Sequence, residues 1–236
     1  MDLRQKETMS MKLSSDTLTI LKNYASINSN MVFHGGNTIK TMAEAKNILA
    51  SATVSESFPE TTFGIYDLNE FLNAIEMFDD PNLEFADDMN SVTIKEGTRS
   101  IRYFFSDSQI LTSPTKDIQM PTPEVKFELT ADDLATIRRA ASTLSVSDVI
   151  VSGSGNDSTF TAEVTDMSDS TSNSFSLDLA VIEAPDTEFK FVFNVANFKV
   201  LPSDYQVSVS SKLISHLEGK TTNYWIALEK TSTYGN

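Results

Sequence analysis

The chain states one pattern twice. Leu13-Ser14-Ser15-Asp16-Thr17-Leu18 opens a helical stretch that continues through Leu21, Lys22, Ala25 and Ser26. The same pattern returns 116 residues later as Leu129-Thr130-Ala131-Asp132-Asp133-Leu134, followed by Ile137, Arg138, Ala141 and Ser142. Leu, Asp, Leu, Ala and Ser are identical at matched positions, and Lys22 is matched by Arg138. A second echo follows, Phe63-Gly64-Ile65-Tyr66-Asp67-Leu68-Asn69-Glu70-Phe71 against Phe191-Val192-Phe193-Asn194-Val195-Ala196-Asn197-Phe198. A period close to half of 236 residues implies two similar domains in tandem and a pseudo-symmetric object, not an enzyme with one asymmetric cleft.

Composition limits the class. A hydrophobic fraction of 40% supports packed cores and argues against global disorder. No apolar run approaches the ~20 residues that span a bilayer. The opening Met1-Asp2-Leu3-Arg4-Gln5-Lys6-Glu7 has no apolar signal-peptide core. Without cysteine there is neither a disulfide framework nor thiolate chemistry. The expectation is a soluble intracellular protein with no membrane partner.

The net charge is −15 and divides evenly. Residues 1–118 carry 10 basic and 17 acidic side chains; residues 119–236 carry 8 and 16. So acidic a body repels nucleic acid over most of its surface, and composition alone argues against DNA binding. An anionic partner would have to meet a locally basic patch.

Most of the chain reads as short alternating strands with polar turns, the pattern of antiparallel sheets. Met31 to His34 and Thr38 to Lys40, around Gly35-Gly36-Asn37, predict a hairpin. Ser91 to Lys95 and Ser100 to Phe105, around Glu96-Gly97, predict another. Four helices stand out. Ser14 or Ser15 caps the first, which runs to about Asn28 with Leu18, Leu21 and Ala25 inward. Asp67-Leu68-Asn69 starts the second, with Leu68, Phe71, Leu72 and Ile75 at helical spacing. Thr130 caps the third, with Leu134, Ile137 and Ala141 inward. Asn194 begins a short fourth that Pro202 stops.

Between the halves, Ser106 to Pro123 holds Pro114, Pro121 and Pro123, which deny it helix and central strand. The expected organisation is an N-terminal extension at 1–10, poorly ordered; one domain at 11–105; a linker at 106–123; and a second domain at 124–236. Ile110, Leu111, Ile118 and Met120 lie in the linker. They either pin it to the body or rim a peptide-binding groove.

Catalytic chemistry finds little support. The two histidines, His34 and His216, fall in strands or turns, and no nucleophile elbow is present. Gly153-Ser154-Gly155 lacks the rest of a phosphate-binding motif and reads as a turn. Asp79-Asp80 and Asp87-Asp88 read as solvated loop ends, so neither metal nor cofactor is expected. The few cations are more informative. Lys22, Arg138, Arg139 and Lys199 fall on three of the four helices, away from the apolar stripes. Singly they would be ordinary solvated faces. Equivalent helices bearing equivalent cations, in a chain that otherwise repels anions, imply one shared cationic surface for phosphate, salt-sensitive and blind to base sequence.

These residues carry a resemblance. Met11-Lys12-Leu13-Ser14, the run Thr19 to Ser29, Ile65-Tyr66-Asp67-Leu68-Asn69, Asn194 to Lys199, and Glu218 to Glu229 with Asn223-Tyr224-Trp225 are similar to segments of the sliding clamps of large tailed bacteriophages. Those clamps are processivity factors of replicative DNA polymerases. The resemblance runs from Met11 almost to Asn236, and order, spacing and coverage carry it more than any single motif. It implies an α+β fold of two tandem DNA-clamp domains, antiparallel sheets outside and two helices per domain inside. Three chains would close a pseudo-six-fold ring around duplex DNA. The chain would then be no enzyme, and Lys22, Arg138, Arg139 and Lys199 would line the hole. The implied partners are two further copies of the chain, duplex DNA, the phage DNA polymerase and an ATP-driven clamp loader, with late-transcription factors as an additional class. The implied location is the cytoplasm of the infected bacterium. Ile110, Leu111, Ala227 and Leu228 are the residues expected to take a polymerase tail. The second helix departs from the pattern, since it carries Glu70 and Glu76 and no cation, leaving Asn69 and Asn73 to face DNA. The competing reading is an acidic, β-rich phage structural or assembly protein without a DNA role.

Overall fold

The computed structural model describes residues 9–114, 118–155 and 157–235, which divide into two compact units. The first unit contains residues up to Glu44 and from Ser51 to Thr115; the second contains Ala45–Ala50 and everything from Lys116 onward. The stretch 45–50, early in the sequence, folds with the second unit. There the Asn47 carbonyl accepts the Ala227 amide at 2.9 Å, and the Asn47 side-chain amide donates to Asn197 Oδ1 at 2.8 Å.

In chain order the first unit holds β1 (Ser10–Met11), α1 (Ser15–Ile27), β2 (Met31–Phe33), β3 (Gly36–Met42), most of β4 (Ile48–Phe58), β5 (Phe63–Ile65), α2 (Leu68–Glu76), β6 (Asn82–Phe85), β7 (Ser91–Glu96) and β8 (Arg99–Phe104). A 3-10 turn, Ser108–Ile110, follows. Strands β1, β6, β7 and β8 form an antiparallel sheet in that order, and β2 pairs with β5. Of the expected extension at 1–10, residues 1–8 lie outside the described residues, while Ser10 pairs with Glu84 in β1–β6.

The α1 helix forms where its sequence permits. Ser14 Oγ accepts the Thr17 amide at 3.2 Å, satisfying one of the open N–H groups at the helix start, and Asp16 complements the positive end of the dipole. Thr17, Ile20, Leu21, Tyr24 and Ala25 recur at helical spacing and are all buried. A phenylalanine cluster lies among the strands. Phe63 stacks on Phe33 at 4.9 Å and on Phe105 at 4.5 Å, and Phe33 meets Phe58 at 4.7 Å.

The expected hairpin around Gly35-Gly36 does not form. β2 pairs with β5 instead, in the register Met31↔Ile65 and Phe33↔Phe63. All three β2 residues are buried, so the strand is covered on both faces, and the Phe63 ring stacked on Phe33 covers one of them. The β7–β8 hairpin forms as expected, Glu96 pairing with Arg99 around Gly97 at φ +59°.

The second unit holds β9 (Val125–Leu129), α3 (Ala131–Leu144), β10 (Asp148–Gly153), β11 (Thr159–Thr165), β12 (Phe175–Glu183), β13 (Phe189–Asn194), β14 (Tyr205–Ser210), β15 (Ile214–Glu218), β16 (Thr222–Ala227) and β17 (Thr233–Tyr234). They run β17-β13-β10-β11-β12-β9-β14-β15-β16 across its sheet. A reciprocal capping box starts α3. Thr130 Oγ1 accepts the Asp133 amide at 3.1 Å, and Asp133 Oδ2 accepts the Thr130 amide at 3.0 Å. Leu134, Ile137 and Ala141 point inward and are almost fully buried. Burial of the leucine and isoleucine side chains stabilises the unit by about 1.5–3 kcal/mol each.

The fourth helix is absent. Val195–Asn197 forms only a single 3-10 turn, with Asn194 Oδ1 accepting the Ala196 amide at 2.9 Å. Two β-branched valines, 195 and 200, and the steric block imposed by Pro202 on Leu201 leave too short a run to propagate a helix. The described residues thus contain three α-helices, two in the first unit and one in the second.

Candidate nucleic-acid interface

Each unit presents a candidate cation from its first helix. In the first, Lys22 lies on the exposed side of α1, and its ammonium pairs with the Glu76 carboxylate on the last turn of α2. Both side chains are about half exposed, so the pair is solvated and weak. It nevertheless offsets the charge of Lys22 locally. The remaining outward positions of α2 include Asn69, Glu70 and Asn73, all exposed.

In the second unit, Arg139 is exposed on α3 and Arg138 is half-buried. Arg138 Nη2 donates to the Phe198 and Val200 carbonyl oxygens, the latter at 2.7 Å. Burial pulls its pKa below the ordinary guanidinium value, opposed by the nearby Tyr205 and Tyr224 hydroxyls. Those hydroxyls also hold the backbone beyond. Tyr205 donates to the Leu201 carbonyl at 2.7 Å, and the Leu201 amide donates to Tyr224 at 3.3 Å. Burial pushes the pKa of both phenols upward, so they stay neutral. Lys199 is exposed, but it follows the 3-10 turn and does not sit on a helix as expected. The fate of Arg138 was hidden from the sequence because its acceptors are backbone carbonyls. The one available signal was its match to Lys22 in the repeat.

The residues expected to take a partner peptide divide between the units. Ile110 ends the 3-10 turn of the first unit and is 71% exposed. Leu111 is half-buried over Gly64, where a Cβ would lie 2.6 Å from Leu111 Cδ1. In the second unit, Ala227 ends β16 half-buried and Leu228 is buried. His216 and Trp225 were named in the sequence but not as a pair; their rings stack at 4.7 Å on β15 and β16, with His216 Nε2 2.9 Å from Asn223 Oδ1. Ile118 and Met120 are described without a regular element, and Lys116 lies outside the described residues.

Tandem units of antiparallel strands with repeated first helices define a two-domain DNA-clamp fold. Solved structures bear this out. The chain matches A. fulgidus PCNA, solved with the C-terminal region of FEN-1, at a TM-score of 0.71 and 16% identity, over 95% of this chain and 99% of that one. It matches Thermococcus kodakaraensis PCNA at a TM-score of 0.70 and 13% identity, covering 93% and 99%. The Helicobacter pylori beta clamp bound to a DNA ligase peptide matches at 0.63 and 14%, covering 97% of this chain and 68% of that one. The family model for DNA polymerase processivity factors matches residues 13–111, and the model for the C-terminal part of the gp45 sliding clamp matches residues 126–230.

The chain belongs to the phage sliding-clamp family. It is 32% identical to the sliding clamp of Vibrio phage KVP40 over 222 residues, covering 93% of this chain and 99% of that protein. It is 30% identical to the sliding clamp of Enterobacteria phage T4 over 230 residues, covering 95% and 99%. It is therefore a DNA clamp and polymerase processivity factor, a non-enzymatic protein of phage replication. The competing structural-protein reading has no support among these relatives. Among the described residues, no helix is long and apolar enough to cross a membrane.

Proposed function

We infer that three copies of this chain close a ring around duplex DNA in the cytoplasm of the infected host and tether the replicative polymerase. An ATP-driven loader opens the ring, and late-transcription factors are a further class of partner. The observation that carries this reading is the repeat itself, which sets cations on matched helices of a chain with a net charge of −15. An acidic body repels DNA except where such cations gather, and loose phosphate contacts attract a duplex without gripping base edges. We assign Lys22, Arg139 and Lys199 to the phosphate-facing surface, with Arg138 behind the last two on the second unit and Asn69 and Asn73 beside Lys22 on the first.

Two open strand edges support self-assembly. β8 is the last strand of its sheet and presents Arg102 and Phe104, the latter 65% exposed. β12 lies between β11 and β9 but meets β9 only at Val181 and Glu183, so among the described residues the flank of 175–180 on that side carries no strand pairing. Unpaired edges of this kind accept another chain. Partner attachment is assigned to Ile110 and Leu111 in the first unit and to Ala227 and Leu228 in the second. The A. fulgidus and H. pylori structures, solved with a FEN-1 region and a ligase peptide, favour a short segment as the attaching group.

Light scattering across a dilution series tests the ring. A species near three times 26.1 kDa, dissociating on dilution, is expected. A monomer at every concentration would leave nothing to encircle DNA. Replacing Arg139 and Lys199 with alanine should then shorten the residence of the clamp on circular duplex while leaving the mass unchanged.

A further inference from the structure

Lys22 and Arg138 hold the same place in the repeat, and in both units the cation reaches from the first helix to the segment carrying the second echo. Lys22 does so by pairing with Glu76 at the end of α2. Among its described residues the second unit has no second α-helix, and Arg138 bonds instead to the backbone at that place, at Phe198 and Val200. Those two carbonyls bracket Lys199. The Phe198 and Val200 side chains are 6% and 3% exposed, and the Phe198 ring stacks on Phe193 at 5.5 Å. Lys199 is thus the outward residue between two inward anchors whose carbonyls share one nitrogen. That nitrogen carries two hydrogens, and the two carbonyls take both.

Chemistry favours arginine for this task. Its planar guanidinium tolerates partial burial because it is weakly hydrated, and its fork holds two acceptors at fixed geometry. A lysine would offer a mobile point charge. Resting on the assignment of Lys199 to DNA phosphate, we propose that Arg138 is a positioning residue: it fixes the backbone at 198–200 so that Lys199 is presented at a set place relative to α3 and its exposed neighbour Arg139. The phosphate contacts of the second unit then come from Arg139 and Lys199, with Arg138 behind them.

The test measures association of the full-length assembled protein with circular duplex DNA over a salt series, for Arg138→Met, Lys199→Ala and the double variant. Amide exchange at 198–200 is followed in parallel. Losing one phosphate contact lowers the slope of log affinity against log salt by about one for each lysine engaged. Lys199→Ala should show that loss. Arg138→Met should match it, and the double variant should lose no more than Lys199→Ala alone. Exchange at 198–200 should quicken in Arg138→Met while α3 stays protected. Arg138→Lys, which keeps the charge and guards against a misfolded variant, should still fall below the parent.

Additive losses, or full activity in Arg138→Lys, would make Arg138 a phosphate contact in its own right and overturn the proposal. Unchanged exchange at 198–200 in Arg138→Met would remove the strut itself. A silent Lys199→Ala with quickened exchange would instead sink the assignment of Lys199 to DNA, and with it the purpose given to the strut.

Discussion

The Thr17 hydroxyl donates to Glu56 Oε2 at 2.5 Å, and the Ser14 amide donates to the other oxygen of the same carboxylate, so one β4 side chain closes the start of α1. A negative charge there is favoured by the helix dipole as well as by the bonds. Burial works to raise the Glu56 pKa, but the hydrogen bonds from Thr17 and Ser14 outweigh it and leave the carboxyl below its ordinary 4.5. A depressed carboxyl stabilises the fold above its unfolded value and loses that contribution as pH falls through the folded value. Glu56→Gln should therefore lower stability by about 1 kcal/mol at neutral pH, comparable to loss of a cap. The gap from the parent should narrow as pH drops below 4.5. Thermal melts of both proteins from neutral pH to acid check this, and a gap independent of pH would contradict the role given to Glu56.

Thr130 sits in a reciprocal box with Asp133 at the start of α3. Thr130→Ala removes the acceptor for one helical amide and should cost about 1 kcal/mol. Thr130→Ser keeps the hydroxyl and should cost much less. Urea unfolding followed by circular dichroism separates the two; equal losses would mean the threonine methyl, not its oxygen, matters.

Gly64 leaves room for the turn that begins the linker. The Ser106 amide donates to its carbonyl at 2.8 Å, and an added Cβ would lie 2.9 Å from the Ser106 carbonyl oxygen and 2.6 Å from Leu111. Backbone on one side cannot yield as a side-chain tip can. Gly64→Ala should destabilise the first unit by about 1–3 kcal/mol, as overpacking does. It should also speed proteolysis near Ile110. Limited digestion with mass analysis reads both, and an unchanged cleavage pattern would show that the turn is held by other contacts.

Phe104 closes β8 with most of its ring exposed. Phe104→Asp places a charge on an open strand edge, which discourages pairing with another chain. The expected outcome is a lower mass by light scattering at concentrations where the parent is assembled, with the melting temperature of the isolated chain hardly changed. Undiminished assembly would locate the joint elsewhere.

Where local chemistry decides, the sequence was readable. The stripe Leu134, Ile137, Ala141 and the cap at Thr130 mark α3 without any tertiary information, and Ser14 with Leu21 and Ala25 does the same for α1. The misses have tertiary or steric causes. The partner of β2 depends on where Phe63 stands, some thirty residues along the chain, which periodicity cannot report. The Asn194 segment carries the repeat's signature but ends in a 3-10 turn, because Pro202 and the flanking valines stop what the asparagine starts. For the interface, residue type and spacing singled out Lys22 and Arg138 as a matched pair. What each cation holds, Glu76 in one unit and two carbonyls in the other, emerges only from the folded backbone.

The six residues at 45–50 belong by sequence to the first repeat and by folding to the second. A recombination event that exchanged one half for a homologue's at the linker would set the Asn47 segment of one parent against positions 197 and 227 of the other. The backbone bond between Ala227 and Asn47 could re-form with any residue at 47, whereas the Asn47–Asn197 bond survives only where the incoming half keeps an amide at that place.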